Sequence, residues 1–179
     1  MTGWFIFLAY LAAVNPARIR PHLAGGEERG QLTQLAIGAA TVLTIGLGLV
    51  LAADRILDAL DITDETWRLA AGVVCGLVGA RALAAPGSSE STMPAGSGLV
   101  PIAFPLLLTP QLAMLAVLFG ATESLAMSWG GMAVGVAVGA AGGRLRLQRP
   151  MLWRATAQLT AAVLVLVGIA LVVAGIRDV

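Results

Sequence analysis

The stretch that decides the fold is AVNPARIRPHL, residues 13–23. It follows an almost unbroken apolar run, MTGWFIFLAYLAAV, residues 1–14. A helix that only crossed a membrane would not end at Asn15 and Pro16, because proline lacks the backbone N–H and clashes with the preceding turn. The residue before a proline is also displaced from the helical region of backbone space. The sequence therefore predicts a helix that breaks at Asn15.

This break is predicted to lie near the middle of a membrane. Trp4 is typical of the outer membrane interface, and Asn15 follows it by roughly 16 Å along a helix that rises ~1.5 Å per residue. That depth is about half of the ~30 Å hydrocarbon core. Non-helical backbone at such a depth must be buried in protein or line a cavity. If the chain then extends, Arg18 and Arg20 reach the cytoplasmic headgroups.

The whole chain has the composition of a membrane protein. Of its 179 residues, 58% are hydrophobic and 12% are charged, and the mean hydropathy is +0.89. Soluble domains carry about 25% charged residues. Four stretches contain no charge: 30–53, 91–122, 124–143 and 155–176. Because ~20 apolar residues suffice to cross a bilayer, we predict an all-α membrane protein with six transmembrane helices.

The charges between the predicted spans set the expected orientation. The six spans are about 3–16, 30–52, 67–84, 98–124, 126–143 and 152–176. The second loop is acidic, whereas the first and fifth loops are basic, with Arg18, Arg20, Arg29, Arg144, Arg146 and Arg149. Since basic loops face the cytoplasm, both termini are expected to be extracytoplasmic.

The two halves of the chain show related patterns. They are residues 1–86 and 98–179, joined by a Ser/Gly/Pro-rich segment, 87–97, that we expect to be a flexible cytoplasmic linker. A Trp-Arg pair opens the third span at 67–68 and the sixth at 153–154, an offset of 86 residues. Two halves of three spans each would be inverted relative to one another. The alternative is that each Trp-Arg pair only anchors a helix at the membrane surface.

The second half contains a counterpart of the first break. GLVPIAFPLLLTPQLAMLA, residues 98–116, has three prolines in an uncharged run. Thr109 before Pro110 is the pattern of a helix N-cap followed by proline at the first helical position, and Asn15 before Pro16 fits the same pattern. Two helix N-termini, each partly positive, are then expected to point toward the protein centre. Such paired breaks, in the first and fourth helices, indicate a transporter binding site; the alternative is two structural kinks.

These motifs resemble those of the MarC family, a LysE-like group of bacterial membrane proteins. The similarity covers nearly the whole chain and is carried by NPARIRP (15–21), DALDITDETWRLAAGVVCGLVGARAL (58–83), LVPIAFPLLLTPQLAMLA (99–116) and the last helix (153–176). The resemblance implies a six-span transporter of the bacterial inner membrane. The residues at its motif positions are Asn15, Pro16, Pro21, Pro101, Pro105, Thr109 and Pro110.

Two positions depart from the family pattern. Arg18 stands where the family has glycine, and Thr109-Pro110-Gln111 stands where it has Gly-Pro-Gly. Glycine permits close backbone approach to a ligand or to another helix. No acidic residue lies deep in any predicted span. Together with the loss of the family glycines, this absence favours a function other than transport.

We predict a transporter of a small solute or of a lipid-type anion. The alternative is a non-catalytic accessory subunit of a larger cell-envelope complex that transports lipids. The residues predicted to bind the substrate are Asn15, Pro16, Phe104, Pro105, Thr109 and Pro110. Arg18, Arg20 and Arg81 are predicted to hold an anionic lipid headgroup.

Two further features of the sequence are a face of small residues in the fifth predicted span and the lack of a set of catalytic residues. Gly131, Gly135 and Gly139 recur every four residues, which favours close helix packing, either within the chain or with a larger complex or a second copy. His22 and Cys75 are single residues and make no metal or nucleophile set. We therefore expect no enzymatic activity, no cofactor or metal, membrane lipids as partners, and no nucleic-acid partner.

Overall fold

The chain forms α-helices in every part that the structure describes. The computed structural model describes residues 3–15, 28–84, 108–144 and 150–177, and no strand occurs among them. The helices are α1 (Gly3–Val14), α2 (Glu28–Leu51), α3 (Ala53–Leu60), α4 (Asp64–Ala84), α5 (Pro110–Thr122), α6 (Leu125–Arg144) and α7 (Pro150–Arg177). The predicted linker at 87–97 lies outside the described residues.

Four of the described helices are long and apolar enough to cross a membrane. The candidate spans are Leu32–Leu51 in α2, Asp64–Ala84 in α4, Leu125–Gly142 in α6 and Met151–Arg177 in α7. Their outer faces carry exposed large apolar side chains such as Leu77, Leu159 and Leu166, a surface that lipid accommodates and water does not. The predicted all-helical class is confirmed for this part of the chain, and the four candidate spans are compatible with a membrane protein.

The helices α1 and α5 are apolar but short. They contain 12 and 13 residues, which at ~1.5 Å per residue gives about 18–20 Å. This is too short for a hydrocarbon core of ~30 Å. The helix α1 ends at Val14, directly before the predicted break, and α5 begins at Pro110, directly after the second one.

The short helix α5 lies at the centre of the bundle. It contacts α1, α2, α3, α4 and α6, and Leu112, Leu115, Leu118 and Phe119 are fully buried. A helix that is apolar on all sides is expected in such a position. The amphipathic helix α3 covers one end of α5, with Leu57 turned toward it.

The glycine face of α6 packs against α1 of the same chain. The two helices run parallel, since the contacts advance together along both. A Cβ added at Gly131 would lie 3.1 Å from Ile6 Cγ2, and one added at Gly135 would lie 2.9 Å from Tyr10 Cβ. Gly139 meets Val14 in the same way. The partner of this face, which the sequence left open, is therefore an intramolecular one.

The helices α4 and α7 form the most extensive contact and run antiparallel. Their backbones touch where glycines face each other: a Cβ at Gly72 would lie 2.7 Å from the Gly168 carbonyl oxygen, and one at Gly168 would lie 2.6 Å from the backbone nitrogen of Gly76. No side chain fits at these points. Further along, Gly79 contacts Ala161 and Val165, while Gly175 contacts Glu65 and Leu69.

Candidate functional site

The short helices α1 and α5 lie side by side and run in opposite directions. The Phe5 ring is 6.4 Å from the Phe119 ring between centroids, and the Tyr10 hydroxyl donates a 3.4 Å hydrogen bond to the Leu115 carbonyl oxygen. Later residues of α1 therefore contact earlier residues of α5, as expected for antiparallel helices. The last turn of α1 consequently meets the first turn of α5, and we call this meeting point the junction.

Thr109 caps the start of α5 on the α5 side of the junction. Its backbone is extended, with φ −87° and ψ 153°, and Pro110 takes the first helical position. The Thr109 hydroxyl oxygen accepts a 3.3 Å hydrogen bond from the Leu112 N–H. Proline at this position loses nothing, because the first backbone N–H groups of a helix have no partner within it. The predicted N-cap at Thr109 is confirmed.

The carbonyl oxygen of Ala13 joins the end of α1 to the start of α5. Ala13 belongs to the last turn of α1, whose carbonyls lack a helical partner. The Gln111 Nε2 donates to the Ala13 oxygen at 3.3 Å, and the Thr109 Oγ1 donates to it at 3.5 Å. Both side chains are only 3% exposed. Buried polar groups of this kind must be satisfied within the protein, so the junction is a polar connection inside an apolar bundle.

Asn15 connects the junction to α7. Its backbone is left-handed, with φ 42°, a conformation that asparagine tolerates better than most residues. Its Oδ1 lies 3.4 Å from the Thr160 hydroxyl oxygen. Thr160 is four residues, or about 6 Å, from the middle of the candidate span Met151–Arg177. Asn15 therefore lies at the level of the middle of α7.

The helix ends at the junction carry opposite partial charges. The end of α1 is a C-terminus and the start of α5 is an N-terminus, which are equivalent to partial negative and positive charges. The predicted helix N-terminus at Pro16 lies outside the described residues. The described helix ends at the junction are therefore one of each sign, and their fields largely cancel.

The structure brings three of the predicted substrate-binding residues together. Asn15, Thr109 and Pro110 all lie at the junction. Arg81 is exposed in the last turn of α4. Pro16, Arg18, Arg20, Phe104 and Pro105 lie outside the described residues.

Two polar residues of the junction were not among the predicted site residues. Gln111 enters the sequence prediction only as a departure from a family glycine, and the sequence prediction does not include Thr160. The sequence does carry a signal for Gln111: it is the one amide within the uncharged stretch 91–122. Thr160 and Thr156 are the two hydroxyl residues of α7, and no local pattern distinguishes one from the other.

An apolar groove elsewhere on the molecule does not compete with the junction as a site. It has a volume of about 610 Å³ and lies between α1 and α6, lined by Trp4, Phe7, Met127 and Val134 among others. These residues belong to the N-terminal halves of α1 and α6, far along α1 from Asn15. Its lining offers little to recognise a polar ligand.

Long apolar helices, an apolar outer surface and a buried polar junction define a membrane-embedded helical protein. Among family models, curated proteins and solved structures, none matches this chain. The resemblance to the MarC family therefore stays a prediction from the motifs. No group of three or more His, Cys, Asp or Glu side chains that could hold a metal ion occurs in the described ranges.

Proposed function

We propose that the chain is a six-span, MarC-like transporter of a small solute in the bacterial inner membrane, built from two inverted halves. The observation that carries this proposal is the junction, where two half-length helices end against each other and bury Thr109 and Gln111 inside the bundle. Broken helices at the middle of a membrane are typical of transporter binding sites. Such breaks persist only where protein or a cavity surrounds them.

The directions of the helices support six spans. The helix α1 runs parallel to α6 and antiparallel to α5, and α4 runs antiparallel to α7. The last turn of α2 packs with Val50 against Gly120, near the end of α5. Hence α1 and α6 run one way and α5 runs the other, and α4 and α7 run in opposite directions to each other. Six alternating spans, with α1 and α5 as parts of the first and fourth, produce this pattern.

The contacts between α4 and α7 support inverted halves. A shift of 96 residues carries Gly72 to Gly168 and Gly79 to Gly175. Every glycine contact then has a counterpart: Gly72–Val172 matches Gly76–Gly168, Gly79–Val165 matches Leu69–Gly175, and Gly79–Ala161 matches Glu65–Gly175. A twofold axis in the membrane plane generates such reciprocal pairs in an antiparallel helix pair. The register of the proposed repeat is therefore 96 residues rather than 86.

The chemistry of the junction favours an uncharged polar solute over an anion. Its side chains are the amides and hydroxyls of Asn15, Thr109, Gln111 and Thr160, which donate and accept hydrogen bonds without net charge. The adjacent helix ends of opposite sign add little net field. We therefore narrow the proposed substrate from a solute or lipid-type anion to a small uncharged solute.

The accessory-subunit alternative loses one of its supports. It relied on Gly131, Gly135 and Gly139 as a docking face, and α1 of the same chain covers that face. A bulky residue at Gly135 would displace Tyr10 and report on the fold of the chain, not on an external partner.

Solute uptake into proteoliposomes tests the proposed function. The purified chain should accelerate uptake of at least one labelled uncharged polar solute over protein-free liposomes, and anions of equal size should enter more slowly. Gln111→Leu should abolish the acceleration, because it removes a buried amide of the junction. Gln158→Leu is the matched control, since Gln158 is exposed on α7. Uptake no faster than in protein-free liposomes for the whole solute panel, or an equal loss in both variants, would overturn the proposal.

A further inference from the structure

The helix α7 lies at the edge of the bundle, and one of its faces is turned outward. Its main contacts are with α4 and α1, on the side that holds the buried residues Ala161, Leu164 and Leu171. On the opposite side of the helix, exposed or half-exposed apolar residues follow one another at alternating intervals of three and four: Leu152, Ala155, Leu159, Ala162, Leu166, Ile169, Val173 and Ile176. We call this row the α7 seam.

The spacing of the seam is that of two helices packed along their length. Intervals of three and four average 3.5 residues, the repeat with which two helices stay in contact by winding around each other in a left-handed sense. Helices in membranes most often cross with this geometry. The first three leucines of the seam are seven residues apart, with Ala155 and Ala162 between them. Small residues between large ones let two helix backbones approach closely.

A polar side chain beside the seam indicates that protein, rather than lipid, covers it. Gln158 is exposed and precedes Leu159, between the two alanines, and its amide has no hydrogen-bond partner among the described residues. It lies six residues, or ~9 Å, from the middle of the candidate span Met151–Arg177, which is inside a hydrocarbon core with a half-thickness of about 15 Å. An amide without a partner is costly at that depth, because no water reaches it.

A second copy of the chain supplies the partner that this amide requires. A glutamine amide both donates and accepts hydrogen bonds, so two Gln158 side chains that face each other across a twofold axis satisfy one another. Copies in one membrane share one orientation, so this axis runs along the membrane normal. It brings two α7 helices together in parallel and places each seam residue near its own counterpart.

We propose that the α7 seam is the interface of a homodimer in the membrane, held by a pair of Gln158 amides. Each chain contains its own junction, on α1 and α5. The dimer is therefore independent of the proposed transport activity, and its loss leaves solute uptake per chain unchanged.

Subunit counting in liposomes, with a fluorescently tagged chain at several protein-to-lipid ratios, measures the dimerisation constant. We expect a monomer–dimer equilibrium. Gln158→Leu should weaken it at least about fivefold, because both amides are lost, whereas Gln158→Asn keeps a self-complementary amide and should retain most of the affinity. Ala155→Leu should weaken it about tenfold by holding the helices apart. Because Ala155 is exposed, the larger side chain fits the single chain.

Thr156→Val is the matched control on the same helix. Thr156 is exposed, lies about 200° around the helix from Gln158, and donates its hydroxyl hydrogen to the Trp153 carbonyl oxygen at 2.9 Å. Its replacement should leave the dimerisation constant unchanged.

Oxidative cross-linking in native membranes locates the interface. In a Cys75→Ala background, Leu166→Cys should form a disulfide-linked dimer, because facing seam positions lie within the ~4.4–6.8 Å between Cα atoms that a disulfide spans. Val138→Cys, exposed on α6, should not. The proposal is overturned if the chain is monomeric at every ratio, or if Gln158→Leu dimerises as tightly as the unaltered chain. It also fails if Leu166→Cys cross-links to a different protein or not at all, or if Val138→Cys cross-links equally well.

Discussion

At the scale of single residues, local chemistry explains why the first helix breaks at Asn15. It does not explain which distant residues bind to the broken helix end. Proline at position 16 removes an N–H and displaces Asn15 from the helical region, and Asn15 is found in left-handed backbone. The end of the helix at this point is a local effect that the sequence predicts, whereas the left-handed backbone is not predicted, because a following proline favours extended backbone. The hydrogen bond from Gln111 to Ala13 spans 98 residues. No local pattern specifies such a pair, and only the packed bundle shows it.

Tyr10 supports a prediction at this scale. Its hydroxyl is buried within 3.4 Å of the Leu115 carbonyl oxygen and 3.3 Å of Ser128 Oγ, so it links α1 to both α5 and α6. Tyr10→Phe keeps the ring packed on Phe119 and removes only the hydroxyl. We expect a loss of about 1 kcal/mol in the free energy of unfolding, measured by denaturant unfolding in mixed micelles.

The double variant of Tyr10→Phe and Ser128→Ala provides the control. Because the two hydroxyls are partners, their removal together should cost less than the sum of the single losses. Strictly additive losses would show that the two hydroxyl groups do not interact.

At the scale of helices, small residues determine which elements approach each other closely. The four-residue glycine spacing in α6 predicted a packing face, and α1 occupies it. The sequence could not identify α1 as the partner, because complementarity depends on where Ile6, Tyr10 and Val14 lie after folding. The Trp-Arg pattern likewise does not specify a partner for Trp67, whose indole N–H donates to the Met114 carbonyl oxygen at 3.1 Å inside the bundle.

The α1–α6 contact predicts opposite effects for two identical substitutions on α6. Gly135→Ala would place a Cβ 2.9 Å from Tyr10 Cβ, whereas a Cβ at Gly130 would meet nothing within 4 Å. We expect Gly135→Ala to destabilise the chain by about 1–3 kcal/mol through overpacking. Gly130→Ala should be neutral or stabilising by up to ~1 kcal/mol, since alanine has the higher helix propensity. Thermal unfolding of both variants in one detergent checks the sign; equal destabilisation would contradict the parallel packing.

At the scale of the whole molecule, the proposed inverted repeat predicts that the same substitution at equivalent positions of the two halves lowers the free energy of unfolding by similar amounts. Gly72 and Gly168 face each other across the proposed pseudo-twofold axis, with no space for a Cβ on either side. Gly72→Ala and Gly168→Ala should therefore destabilise the chain to a similar degree, about 1–3 kcal/mol each. Gly76→Ala is the control on α4, because a Cβ there meets nothing within 4 Å. Thermal unfolding of the three variants measures this, and a neutral Gly168→Ala beside a costly Gly72→Ala would contradict the reciprocal interface.

The orientation of the molecule in the membrane gives the last prediction. Basic loops face the cytoplasm, and the acidic connection before α4 is expected on the opposite side. Asp61 and Arg81 lie at opposite ends of α4 and both are exposed, so one cysteine substitution at each position reports both sides of one helix. The native Cys75 is buried and is replaced by alanine. In intact cells, a membrane-impermeant maleimide should label Asp61→Cys and should label Arg81→Cys only after permeabilisation. Labelling of position 81 but not 61 in intact cells would reverse the orientation and place both chain ends in the cytoplasm, while labelling of both would show that α4 does not cross the membrane.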